Sequence, residues 1–211
     1  MKKIISLIFL FISILTLQAQ SKSFAIKGGL AQSWLRGKEL NADSFERRNG
    51  FYIGAFMDLI ITEQRNVTIQ PEVIFSTEGG TIVKKNSEND HSYEIDIHSN
   101  VLRIPVLVKI MPLPKFSIEG GPQITYRFSA KSLDFSNVSV KSTHNTMDFG
   151  IDLGATYHFS MPFKPAFFIQ VRWTNNFLKM LDTSKIDSRI DLSESNILRS
   201  SIGQIGVGYR F

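Results

Sequence analysis

Six ionisable side chains pose the first chemical question in this chain: Lys27, Glu72, Arg103, Glu119, Asp152 and Arg172. Each sits between apolar or small neighbours, as in Pro71-Glu72-Val73, Leu102-Arg103-Ile104, Ile151-Asp152-Leu153 and Val171-Arg172-Trp173. In extended backbone, successive side chains point to opposite faces, so each of these charges is delivered to the face opposite its apolar neighbours. If that face is buried, acids and bases must neutralise one another, because an unpaired buried charge is expensive. The expected pairs are Glu72 with Arg103 and Asp152 with Arg172, at matching depth on neighbouring strands, with Lys27 and Glu119 joining the network.

Catalytic constellations are sparse. Of His91, His98, His144 and His158, only His98 falls near the end of a strand with a carboxylate and a hydroxyl beside it, Asp96 and Ser99. Consecutive strand residues face opposite ways, so Ser99 is badly placed to share a proton with His98. There is no nucleophile elbow, zinc-protease helix, phosphate loop or dinucleotide fingerprint. The chain is therefore expected not to be an enzyme, to carry no catalytic residues, and to need no cofactor. The acidic run Glu88, Asp90, His91, Glu94 and Asp96 offers oxygen ligands but lacks the spacing and turn glycine of a calcium loop, so it reads as solvated and no metal site is expected.

The elements that would position these residues follow from period-two alternation, which places strands near 22–35, 50–61, 66–76, 97–110, 115–128, 146–159, 166–178 and 199–211. Short connections (62–65, 111–114 and 160–165) alternate with long polar ones (36–49, 77–96, 131–145 and 179–198). Short turns on one rim and long loops on the other predict an all-β fold, an eight-stranded antiparallel up-and-down transmembrane β-barrel. Its apolar set, which includes Phe24, Ile26 and Leu30, Ile53, Val73, Ile104, Ile118, Leu153 and Val171, would touch lipid and carries no charge. The opposite set adds Asp58, Gln70, Lys109, Gln123, Arg127, Asp148, Gln170 and Arg210, a mixture of acids and bases suited to the narrow interior of eight strands. Pro71, Pro105 and Pro122 fall within predicted strands and are expected to mark bulges or kinks.

The two ends of the chain agree. Residues 1–19 read as a secretory signal peptide, with Lys2 and Lys3 before an apolar run and Ala19 before the expected cut, leaving 20–211 as the barrel domain. No other apolar run reaches the roughly 18 residues of a spanning helix. The final strand, GQIGVGYRF, puts Val207, Tyr209 and Phe211 on one face and ends on an aromatic, an expected insertion signal for barrel-assembly machinery. With no cysteine, disulfides and thiolate sites are excluded. The formal charge is +5, two units of it in Lys2 and Lys3, and no basic stripe is present, which argues against nucleic acid as a partner.

Several stretches resemble the Bacteroidetes-type outer-membrane β-barrel proteins often labelled PorT-like: 69–76 (IQPEVIFS), 102–109 (LRIPVLVK), 118–122 (IEGGP), 149–157 (FGIDLGATY) and the terminal VGYRF. The chain carries Arg103 where members often have an acid before the central Ile-Pro. The resemblance implies an OmpA-like eight-stranded barrel in the cell outer membrane and supplies no catalytic residues. Both chain ends would then be periplasmic. The expected role is that of a small, monomeric structural or binding protein with a closed polar lumen. Its partners would be outer-membrane lipid, the insertion machinery and an extracellular partner met by the long loops. The alternatives are an accessory factor for secretion or envelope biogenesis, and a lipid-modifying enzyme.

Overall fold

The computed structural model describes residues 22–38, 44–62, 67–85, 92–133, 146–159, 166–177 and 197–211. The expected signal peptide, and Glu88, Asp90, His91 and His144, lie outside them. Eight strands follow in order: β1 (Lys22–Lys38), β2 (Ser44–Ile60), β3 (Val67–Lys85), β4 (Ser92–Leu113), β5 (Phe116–Leu133), β6 (Met147–His158), β7 (Ala166–Asn176) and β8 (Ile197–Arg210). Each pairs antiparallel with its neighbours, and β8 returns to β1 to close a barrel. Closure leaves no unpaired sheet edge, which is what a strand structure in hydrocarbon requires. No helix long and apolar enough to cross a membrane occurs among the described residues.

The alternation built into the sequence decides which way the wall faces. On β6 and β7 the burial changes at almost every residue, with Phe149, Ile151, Leu153, Phe167, Ile169 and Val171 outside and Asp148, Asp152, Gln170 and Arg172 inside. The same holds around the barrel: the outward belt is made of large apolar side chains, and the buried side chains are mostly polar or charged. This inversion of the usual soluble arrangement is stable only where the surroundings are as apolar as the wall. Outward aromatics gather in two girdles. Phe24, Phe211, Tyr209 and Phe167 contact one another in sequence at the rim that carries the chain ends. Phe51, Phe75 and Phe128 do so towards the other.

Two expectations need correction. The connections placed at 36–49 and 77–96 are largely strand: β1 continues to Lys38, β2 begins at Ser44, β3 reaches Lys85 and β4 begins at Ser92. Pairs such as Ser44 with Val83, Lys85 with Ser92 and Asp96 with Leu133 carry the ladder far beyond the apolar belt. Backbone hydrogen bonds need no apolar side chain, so pairing persists through polar and glycine-containing stretches such as 77–80.

The prolines do not mark register shifts. Those shifts fall between Arg47 and Tyr52, between Asn100 and Val101, and between Ile110 and Leu113. Pro71, Pro105 and Pro122 instead sit at breaks in the ladder to the preceding strand. Pairing of β3 with β4, for example, stops after Pro71–Val106 and resumes at Ile74–Arg103 in the same register. Proline lacks the N–H that would bridge the gap, while its neighbours hold the strand in place.

Candidate functional site

The bore of the barrel is filled by a charge network whose members come from alternate strands. Lys27 of β1, Glu72 of β3, Glu119 of β5 and Arg172 of β7 converge, all of them buried. Lys27 Nζ donates to Glu72 Oε2 at 2.8 Å and to Gln170 Oε1 at 2.9 Å. Arg172 grips Glu72 with two prongs, Nη1 to Oε2 at 2.5 Å and Nη2 to Oε1 at 2.8 Å, and Nη2 also donates to Glu119 Oε1 at 2.7 Å. Gln70 Nε2 donates to Glu72 Oε1, and Gln170 Nε2 donates to Glu119 Oε1 at 2.5 Å. A planar guanidinium with its fixed fork of donors suits this double duty better than an ammonium.

Asp152 of β6 lies at the edge of the network, 3.5 Å from Arg172 Nη1, and accepts a hydrogen bond from Thr174 Oγ1 at 2.6 Å. Arg103 does not pair with Glu72. It forms an ion pair with Glu78 at 2.5 Å and reaches Thr174 Oγ1 at 3.5 Å. The register explains the difference: Arg103 lies opposite Ile74 on β3, so Arg103 and Glu72 are two residues out of step. Glu78 was missed because it falls in the stretch read as a loop. The run Glu72, Ile74, Ser76, Glu78 continues the inward alternation and was the available signal.

A second charge centre lies nearer the rim of the chain ends. Asp58 accepts from Lys109 Nζ at 3.2 Å through both oxygens and from Ser23 Oγ at 3.3 Å, and Arg210 Nη2 is 3.1 Å away. Alternation alone puts Asp58, Lys109 and Arg210 on the inward face; the stagger between β2, β4 and β8 brings them together. Between the two centres, Phe56 and Phe168 cross edge to face at 5.7 Å, with Ala25 beside them. Lys27 and Lys109 both lie over the Phe56 ring, at 5.3 and 5.7 Å from its centroid, so the aromatic layer also receives the two ammonium groups. Glycines on β8 make room for it: a Cβ at Gly208 would run into the Phe168 ring, and one at Gly206 into the Tyr52 hydroxyl.

Of the histidines, His158 Nε2 is 3.2 Å from Ser117 Oγ inside the barrel, and His98 Nε2 is 2.8 Å from Arg48 Nη1. Among the described residues no group of three or more His, Cys, Asp or Glu side chains could hold a metal ion. Val207 and Phe211 face outward on the last strand, and Phe211 N donates to Phe24 O at 2.8 Å. Chemically, the interior holds acids and bases within ion-pair distance of one another at two levels.

Comparison with known proteins gives the same architecture. A family model described as outer membrane protein beta-barrel domain matches residues 18–182. Compared with curated protein sequences, the chain has no significant match. Among solved structures, the outer membrane protein OprG from Pseudomonas aeruginosa is similar, with 14% identity, coverage of 92% of this chain and 97% of that one, and a TM-score of 0.53. Ail, the attachment invasion locus protein of Yersinia pestis, has 16% identity, coverage of 91% and 100%, and a TM-score of 0.47. Neisserial surface protein A has 12% identity, coverage of 91% and 100%, and a TM-score of 0.46.

Proposed function

The chain belongs to the outer membrane β-barrel domain family, and from that premise we propose that it is a non-catalytic structural or binding barrel with a closed bore. Its recognition surface is the rim opposite the chain ends. The observation that carries this reading is the convergence of Lys27, Glu72, Glu119 and Arg172 from four alternate strands, which fills the bore with paired charge. Side chains from all sides of a small barrel meeting at its axis leave little width for a solute. The strands β2 to β5 extend beyond the apolar belt on one rim only, which supports that rim as the exposed, partner-facing side and the chain ends as periplasmic. The likeness to PorT-like barrels supports a place in the envelope and brings no catalytic residue.

The test has three parts. Mature protein folded into vesicles should migrate faster in SDS without boiling than after it, because a closed barrel resists the detergent until heated. An epitope inserted at residue 185 should then be accessible on intact cells, and one inserted at residue 163 should not. Reversed accessibility would overturn the orientation, and a heat-independent mobility would overturn the membrane barrel. Incubation with phospholipid or lipid A should leave the lipid masses unchanged; a new lipid product would overturn the non-catalytic reading.

A further inference from the structure

On the outward wall of β8, β1 and β2, the chemistry changes within a few residues. Leu30 lies opposite both Phe51 and Ile205, a fully apolar row. One row further from the chain ends, Gln32 lies opposite Asn49 and Gly203, and the next places Trp34 opposite Ser201. Beyond them Arg36 and Arg199 are direct partners across β1 and β8, both exposed. Arg47 of β2 adds a third guanidinium, stacked 5.9 Å from the Trp34 ring and 3.5 Å from Gln32 Oε1. Arg36 folds across β8 to donate to Ser201 Oγ and to Asn175 Oδ1 on β7.

Like charges placed directly opposite on one face of a sheet are destabilising. Among the described residues, none of Arg36, Arg47 and Arg199 is in an ion pair with an acid; the partners of Arg36 and Arg47 are neutral amides, a hydroxyl and an indole. The head of Arg36 reaches the Trp34 and Ser201 row, two rows past Leu30. Trp34 lies ten residues along β1 from Phe24 in the girdle at the chain-end rim; at about 3.3 Å per residue and a strand tilt of about 40°, that is roughly 25 Å along the barrel axis, the height of the apolar band of an outer-membrane barrel, beyond which lipid phosphates lie. Interfacial tryptophan beside snorkelling arginine is the side-chain chemistry suited to that depth.

We infer that Trp34, Arg36, Arg47 and Arg199 form a clamp for the phosphate of an outer-leaflet lipid, with the amides of Gln32, Asn49 and Asn175 completing its polar floor. This rests on the outer-membrane reading above and on the orientation given there. The occupant is a phosphorylated lipid rather than a soluble anion, because the site is on the outer wall and continuous with the apolar row of Leu30, Phe51 and Ile205. A tail lying on that row and a headgroup on the arginines would be held by both contacts.

The test uses the mature protein folded into phosphatidylcholine vesicles doped either with bisphosphorylated lipid A or with the same lipid stripped of phosphate. After extraction in mild detergent, retained lipid is counted by native mass spectrometry. The wild type should retain the phosphorylated form and not the stripped one. The double variant R36Q/R199Q should retain at least about tenfold less, as expected when charge-assisted hydrogen bonds are lost. R47Q should fall in the same direction, and K115Q, in the turn at the opposite rim, should match the wild type. Equal retention by R36Q/R199Q, equal retention of the stripped lipid, or displacement by inorganic phosphate at equal phosphate concentration would each overturn the clamp. A variant with normal heat-dependent mobility and undiminished retention overturns the clamp alone. A wild type without the mobility shift brings down the membrane reading and the clamp with it.

Discussion

Arg172 and Glu72 form a two-pronged ion pair across the full width of the barrel, from β7 to β3, with nitrogen to oxygen distances of 2.5 and 2.8 Å. Those strands are four apart in a ring of eight, so the pair spans the diameter. Lys27 and Glu119, from the two strands midway between them, complete a cross of charges. A network of this kind holds four strands at fixed separation while leaving each carboxylate compensated.

Removing one member should therefore be far worse than removing a balanced pair. Glu72→Ala leaves Arg172 and Lys27 buried beside each other without their shared acid, and a loss of about 3–5 kcal/mol is expected. Substituting Glu72 and Lys27 together by methionine should cost much less, since the remaining Arg172 keeps Glu119. Urea titration of the folded fraction in vesicles, followed by unboiled gel mobility, measures both. A single variant no less stable than the double one would show that the network carries no structural weight.

The glycines of β8 give a steric prediction. At Gly208 a methyl group would meet the Phe168 ring and the backbone oxygen of Ile26, so Gly208→Ala should destabilise by about 1–3 kcal/mol. Phe168→Leu in the same chain should recover part of the loss by clearing the ring. Failure of the second change to help would place the obstruction at Ile26 rather than at the aromatic layer.

What was legible in the sequence was what alternation encodes. All eight strands and both faces of the wall follow from residues such as Phe149, Ile151 and Leu153 set against Asp148 and Asp152. Partnerships were less legible, because they depend on stagger between strands. Counting from a rim matches Glu72 with Arg103, whereas the register sets Arg103 opposite Ile74. The strand ends were hidden for another reason. The run Thr77-Glu78-Gly79-Gly80 interrupts the apolar alternation of β3, so that period ends at Thr77 while the ladder runs on to Lys85 and Ser92. Arg36 and Arg47 lie in a polar stretch that reads as a loop, so alternation alone does not place them on one surface.

The outward wall should tolerate charge poorly in lipid. Ile53 is 60% exposed in the middle of β2, so a soluble protein would accept arginine there with little effect. In a bilayer, Ile53→Arg is expected to cost about 2–4 kcal/mol if the position lies near the midplane. Gln32→Arg, beyond the apolar row, should cost no more than about 1 kcal/mol. Equal tolerance at the two positions, read from urea midpoints in vesicles, would argue that Ile53 does not face lipid.

The proposed closure of the bore rests on three layers in series, and this gives a prediction about conduction. The charge cross of Lys27, Glu72, Glu119 and Arg172 lies above the crossed rings of Phe56 and Phe168, and the Asp58 centre lies beyond them. Deleting Glu72 and Arg172 together keeps the charge balance but opens only the first layer. The wild type and the Glu72→Ala/Arg172→Ala variant should therefore both be silent in planar bilayers. Adding Phe168→Ala removes the ring that seals the level below, and adding Asp58→Ala with Lys109→Ala as a balanced pair opens the third, at which point small single-channel steps should appear. Steps in the wild type would contradict the closed bore. Steps in the double variant would show that the charge cross alone seals the barrel and that the aromatic layer is only a packing element.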